Sequence, residues 1–146
     1  MASITPNCEL CAMPGGEVIH EEEKFRVVLI DDAQYPGFCR VIWTAHAREM
    51  TDLEVLDRIL FMDAVWQTEM AVREVMLPDK VNIASLGNIV PHLHWHVIPR
   101  YADDMQFPGP VWAQPQRVPS DEILAARKAL LPALRQELQE RFAAPS

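Results

Sequence analysis

Apolar and polar residues are distributed along this chain in two β-rich stretches, with a long helical one between them. Residues 24–30, KFRVVLI, and 38–44, FCRVIWT, are short runs of β-branched and apolar residues, the composition of strands. Asp31 to Gly37 between them holds Asp-Asp and Tyr-Pro-Gly, which predicts a turn and hence an antiparallel hairpin. Thr51 and Asp52 offer a helix cap, and Leu53, Leu56, Leu60 and Ala64 then recur three to four residues apart with Asp57, Arg58 and Asp63 on the other side. That period predicts a long amphipathic helix ending before Pro78. A third strand is expected over 80–86, KVNIASL, with Val81 and Ile83 on one face and Asn82 and Ala84 on the other. After a Gly87-Asn88 turn comes a fourth, over 92–98. Pro108, Gly109, Pro110, Pro115 and Pro119 leave 105–119 without regular structure. Ser120 caps a final helix running through Arg141, which Pro132 should kink or split. Helices packed on an antiparallel sheet make an α+β fold.

Composition narrows the class. A length of 146 residues fits one domain, 1–146, with 49% hydrophobic and 23% charged residues. Pro6, Pro14, Gly15 and Gly16 make 1–16 a coil, and 102–146 is a Pro-rich segment followed by the last helix. No apolar run approaches the roughly 18 residues of a membrane span, and MASITPNCEL lacks a secretory pattern. A soluble, cytoplasmic protein without a membrane partner is expected. The net charge of −8 argues against nucleic acid as a partner, since phosphate-backbone binding needs a basic face. A few local donors can still hold one small anion.

The chemistry is concentrated in one strand. Three of the five histidines fall in PHLHWHVIPR, as His92, His94 and His96. Alternate strand residues share a face, so the three imidazoles point one way, about 6–7 Å apart per step, while Leu93, Trp95 and Val97 face the core. Three readings are open from these residues alone: an exposed His-rich face, a metal site, and nucleophilic catalysis by imidazole. Cys8 and Cys11 have the two-residue spacing of half a zinc site, without the βαβ context of a redox motif.

His92-Leu93-His94-Trp95-His96-Val97-Ile98, followed by Pro99-Arg100, resembles the motif of the histidine triad (HIT) superfamily of nucleotide hydrolases and transferases. Gly87 to His92 is similar to that family's Gly-Gln-Ser/Thr-Val-x-His loop. Tyr35-Pro36-Gly37 resembles its Pro-Gly-His turn, and His46 ahead of Met50-Thr51-Asp52-Leu53 resembles its entry to the central helix. The similarity spans roughly residues 8–101, with the HIT-like core over 17–101, and is greatest to bacterial members of the diadenosine tetraphosphate hydrolase type. Three positions depart from the pattern: Phe38 replaces the turn histidine, Asn88 the loop glutamine, and Ile89 the Ser/Thr.

The resemblance implies an enzyme that cleaves at the α-phosphate of a (di)nucleoside polyphosphate or related nucleotide. His94 would be the nucleophile, its tautomer held by the main-chain carbonyl of His92, and His96 would hydrogen-bond phosphate oxygens or the leaving group. Asn82 and Asn88 would contact the same oxygens, Asp31 the ribose hydroxyls, and Arg100 a distal phosphate. Arg100 has a surface pairing with Asp103 or Asp104 as its other reading, and Trp112 could close over the site or serve an interface. A phosphoramidase, a nucleotidyltransferase or phosphorylase of the same family, and a catalytically weak nucleotide-binding module are the alternatives.

A zinc-bearing branch of the family further implies that Cys8 and Cys11 join His46 and His92 around one structural zinc per chain, with His20 a rival ligand. No catalytic cofactor is required. Val65, Trp66, Met70, Val72, Val75 and Met76 occupy more than one helical face. With the family's habit of pairing across a two-fold axis, this leads us to expect a homodimer.

Overall fold

The computed structural model describes residues 3–143. Five antiparallel strands form one sheet in the order β1-β2-β3-β5-β4. The hairpin expected from the sequence is β2 (Phe25–Leu29) and β3 (Cys39–Trp43), paired from Phe25↔Trp43 to Leu29↔Cys39. In their connection Gly37 has φ +93°, and a Cβ there would lie 3.0 Å from the Met76 side chain. A residue with a side chain would be strained on both counts.

Strands β4 (Lys80–Ala84) and β5 (His94–Arg100) complete the other half. The fourth strand therefore starts two residues later than expected, and His92 lies ahead of it. Leu93 is already tied in, donating its N–H to the Ala47 carbonyl and accepting from the Trp43 N–H. β1 (Glu17–Glu21), an edge strand beside β2, lies in a stretch to which the sequence assigns no element. Only Ile19 on it is buried, so charged residues hide its alternation. Within the expected N-terminal coil a single helical turn, α1 (Glu9–Ala12), carries Cys11.

The long helix α2 spans Val55–Met76. Thr51 and Asp52 do not cap it. They lie in a preceding 3-10 turn, Met50–Asp52, where Glu49 and Asp52 cap each other's backbone. Its buried stripe is also displaced from the expected one. Phe61, Ala64, Val65, Ala71, Val72 and Met76 face the sheet, while Leu56 is 80% exposed. Apolar residues on two sides of one helix leave periodicity unable to say which side meets the core. Val55, Ile59, Trp66 and Met70 are exposed with Leu56.

Past a segment without regular structure, Ser120 Oγ accepts from the Ile123 N–H and caps α3 (Asp121–Lys128). The expected final helix is split. α4 (Leu131–Ala143) begins afresh, with Pro132 in its first turn, where the missing N–H is not needed. Leu134 and Leu138 are fully buried where α4 packs on α2 and β1. Helices α2 and α4 thus cover one face of the sheet. The opposite face carries His94 and His96 and is covered by the N-terminal segment and by residues 101–112. No helix among the described residues is long and apolar enough to cross a membrane.

Candidate functional site

Strand pairing determines what meets the histidines. Ile42 lies opposite His94 and Arg40 opposite His96 on β3, and Ala84 lies opposite His96 on β4. Both rings are buried, 6% and 5% exposed, so this is not a solvated His-rich surface. His94 Nδ1 sits against the His92 carbonyl oxygen. A carbonyl can only accept, so the proton is on Nδ1 and the Nε2 lone pair is bare. Burial lowers the His94 pKa, and Arg40 adds to the shift, against the raising effect of the His92 carbonyl. The ring is therefore neutral at ordinary pH.

His96 is enclosed by aromatic rings. Phe38, Trp112 and His94 stand edge-on to it at centroid distances of 5.6, 5.3 and 4.9 Å. Burial first, then the neighbouring His94 and Arg40, push its pKa down to about 4. Its buried Nδ1 has no protein hydrogen-bond partner. A cavity of about 300 Å³ opens beside it, lined by Asp32, Arg40, Phe38, Gln106 and Trp112. A larger one of about 760 Å³ adjoins it across Ile30, Asp32 and Gln34, and its walls include Asp31, Leu29 and, from α3, Leu124.

The residues expected to bind substrate are dispersed. Asp31 lines the larger cavity and not the one beside His96, whereas Asp32 lines both. Asn88 is exposed on the loop before His92, as is Ile89. Arg100 is a correction to the expectation of a phosphate contact. It is 2% exposed, and its Nε and Nη2 donate to the two Asp104 carboxylate oxygens at 2.8 and 3.0 Å. Two further donors go to Asn82 Oδ1 and to the Gly109 carbonyl, both at 2.6 Å. Asn82 is thereby engaged through its acceptor oxygen alone, and the Nδ2 donors expected to meet phosphate are not part of that bond.

The Asp104 carboxylate is equally committed. Burial raises its pKa, but Arg100 and the N–H groups of Tyr101 and Phe107 outweigh that and hold it below the usual range. A buried bidentate ion pair, with four guanidinium hydrogen bonds in all, pins residues 101–109 across the sheet. Tyr35 joins from the hairpin turn, with its hydroxyl against Asp104 and Gln106. Arg100 and Asn82 hold the cavity wall in place.

A second cluster lies at the other end of the triad. The ligand atoms of Cys8, Cys11, His46 and His92 all lie within 4.8 Å of one another. Cys8 Sγ and Cys11 Sγ are 3.4 and 3.5 Å from His92 Nδ1, and Cys11 Sγ is 3.4 Å from His46 Nδ1. Zinc bonds of about 2.0–2.3 Å in a tetrahedron place ligand atoms roughly 3.3–3.8 Å apart, so two thiols and two imidazoles fit zinc. His92 Nε2 donates to the Trp43 carbonyl at 2.6 Å, which leaves the Nδ1 lone pair facing the cysteines. Such an outer partner is what orients a ligating histidine. His20 is elsewhere, bonded to Glu22 and stacked on Phe142. The third cysteine, Cys39, is buried with its pKa raised to about 12 by burial, an inert core residue.

Three polar residues at the site, Gln34, Arg40 and Gln106, escaped the sequence reading. Arg40 lines the smaller cavity on the His96 side. The available signal was a lone charge inside the apolar strand FCRVIWT, on the face opposite Val41 and Trp43.

These features, an antiparallel sheet with paired buried histidines on β5 and a long crossing helix, match a family. The HIT domain model matches residues 15–103, and the chain belongs to the HIT family. A histidine triad protein from Bradyrhizobium japonicum superposes with a TM-score of 0.70 at 31% identity, covering 86% of this chain and 92% of that one. One from Marinobacter aquaeolei also gives 0.70, at 30% identity over 93% and 99% of the two chains. A zinc-bound histidine triad family protein from Mycobacterium smegmatis gives 0.62, at 27% identity over 95% and 98%. Comparison with curated proteins gives no match.

Proposed function

We propose that this protein is a nucleotide hydrolase of the diadenosine tetraphosphate hydrolase type, cleaving at an α-phosphate through a nucleotidyl-histidine. The observation that carries the reading is the tautomer of His94. With Nδ1–H committed to the His92 carbonyl, Nε2 is a neutral nucleophile held in one orientation, which is what covalent catalysis requires. Its lone pair forms the N–P bond while the P–O bond to the leaving group breaks, and the bonding pair departs on that oxygen. Water then attacks phosphorus, the electrons of the N–P bond return to Nε2, and the water's proton passes to solvent. His96 donates to the phosphate oxygens or the leaving group, the donor role that supplies much of the catalysis in such transfers. Asn88 offers its amide to the same oxygens. The nucleoside occupies the larger cavity, where Asp31 accepts the ribose hydroxyls.

A zinc at Cys8, Cys11, His46 and His92 is structural in this reading, anchoring the N-terminal segment to the sheet. The exposed apolar residues of α2, Val55, Leu56, Ile59, Trp66 and Met70, support a homodimer. Its solution mass would be twice 16.6 kDa, and a monomer at micromolar concentration would count against it. Three unpaired cysteines suit a reducing cytoplasm.

The test is a panel of dinucleoside polyphosphates, adenosine phosphoramidate and nucleotide sugars, assayed with and without phosphate and quenched in alkali. Turnover of the polyphosphates is expected, together with an acid-labile, base-stable nucleotide adduct on the peptide containing His94. Preference for the phosphoramidate, or resolution by phosphate instead of water, would move the assignment to a phosphoramidase or a phosphorylase. Turnover of no substrate would make the protein a binding module.

A further inference from the structure

Three arginines lie on the histidine face of the sheet: Arg26 on β2, Arg40 on β3 and Arg100 on β5. Two are held by three or four short hydrogen bonds each. Arg26 donates to the carbonyls of Leu10, Met13 and Pro14 at 2.8–3.0 Å, and Arg100 is held by Asp104, Asn82 and Gly109. Arg40 differs. Its one side-chain hydrogen bond among the described residues is a long 3.4 Å contact to the Gly15 carbonyl, and its buried Nε has no partner. Among the described residues it has no salt bridge with any carboxylate. A guanidinium carries five donors and never loses its charge at ordinary pH. Placing one half-buried without an ion-pair partner costs stability, offset here only by the longer-range attraction of Glu9.

Two observations say what it faces. Arg40 lies in register with His96, not with His94, and both line the cavity of about 300 Å³. Among the described residues three buried polar atoms of its lining lack a partner: Arg40 Nε, His96 Nδ1, on a ring that is 5% exposed, and Gln34 Oε1. Two residues with unmatched nitrogens, one of them a fixed cation, thus border one space, together with the Gln34 amide and the Asp32 carboxylate. In a protein of net charge −8 this is a local anion site.

We propose that Arg40 binds the phosphate beyond the scissile one, making a leaving group that itself carries phosphate the preferred substrate class. This rests on His94 being the nucleophile. As the His94 N–P bond forms and the P–O bond breaks, the bonding pair moves onto the departing phosphate oxygen, on the His96 side. Arg40 meets that developing charge with a planar fork suited to phosphate. A phosphate leaves as an anion and needs no proton, whereas an amine leaving group does. The cation in this cavity therefore selects phosphoanhydrides over phosphoramidates.

The test measures binding and chemistry separately. Calorimetry with inorganic triphosphate should show saturable binding to the wild-type protein, at least about tenfold weaker in Arg40→Leu. The kcat/KM ratio of a dinucleoside polyphosphate to adenosine phosphoramidate should fall about 10²-fold in the same variant, the usual loss for one charge-stabilising donor. Arg40→Lys should recover part of both, as a point charge without the fork. It also stands in should Arg40→Leu fail to fold, in which case weaker triphosphate binding than wild type is still expected. No triphosphate binding by the wild type, equal affinity in Arg40→Leu, or equal losses on both substrates would overturn the proposal. His94→Ala separates the two ideas. It should still bind triphosphate, and if it also retains turnover, the nucleophile assignment fails while the anion site stands.

Discussion

Replacing His94 with alanine is expected to lower polyphosphate turnover by about 10⁴-fold or more, because removing a nucleophile removes the covalent path itself. Removing His96, a donor, should cost about 10²–10³-fold. His92→Ala should cost less than either, since the His92 backbone carbonyl that holds His94 survives the substitution. Single-turnover rates of the three variants, each checked for folding by circular dichroism, decide the order. The pH profile gives a second signature. His94 attacks only when neutral, and burial lowers its pKa below the ordinary 6.5. Activity should therefore hold as pH falls through 6.5 and decline only below it, as Nε2 gains a proton and loses its lone pair. Near-wild-type turnover by His94→Ala, together with complete loss on chelation, would make the triad a metal site and end the nucleotidyl-histidine reading.

The second large effect concerns metal. Purified protein should carry about one zinc per chain, and Cys8→Ser should release it. The four ligands come from three separate parts of the chain: α1 and the residue before it, the loop after β3, and the loop before β5. Binding one ion across such separated segments contributes directly to folding free energy. Because the sheet and helices have their own core, the melting temperature should fall by roughly 5–10 °C, not to full unfolding. Turnover should stay within about tenfold of wild type. His94 and His96 are not among the four residues that would hold the ion, so it would act on them only through the orientation of His92. Metal analysis and thermal melting before and after chelation measure this. A metal-free protein with an unchanged melting temperature would return the two cysteines to ordinary packing.

Arg100 shows how a motif residue can mislead. It follows the triad strand and carries the charge a phosphate would want, yet its donors go to Asp104, Asn82 and Gly109. Its work is to hold the segment that carries Trp112 over His96. Arg40, in no motif, is the cation left facing the cavity. The difference lies in the partners each finds, and a partner such as Asp104 or Gly109 is chosen by the path of an irregular segment.

The sequence by itself determined the α+β class, the β2–β3 hairpin, a long helix ending at Pro78, and the resemblance on which family membership was first read. Strand composition, turn residues and the spacing of three histidines are local properties, legible in short windows. Cys8, Cys11, His46 and His92 were grouped before the fold was known only because the family resemblance supplied their partners. The tertiary structure decided the rest. It chose which face of α2 is buried, since apolar residues lie on both sides. It formed β1 from a charged stretch that registers only beside β2. It buried Arg100 and left Arg40 unpaired. Each outcome depends on contacts between residues far apart in the chain, and such contacts form only when the sheet brings its strands into register.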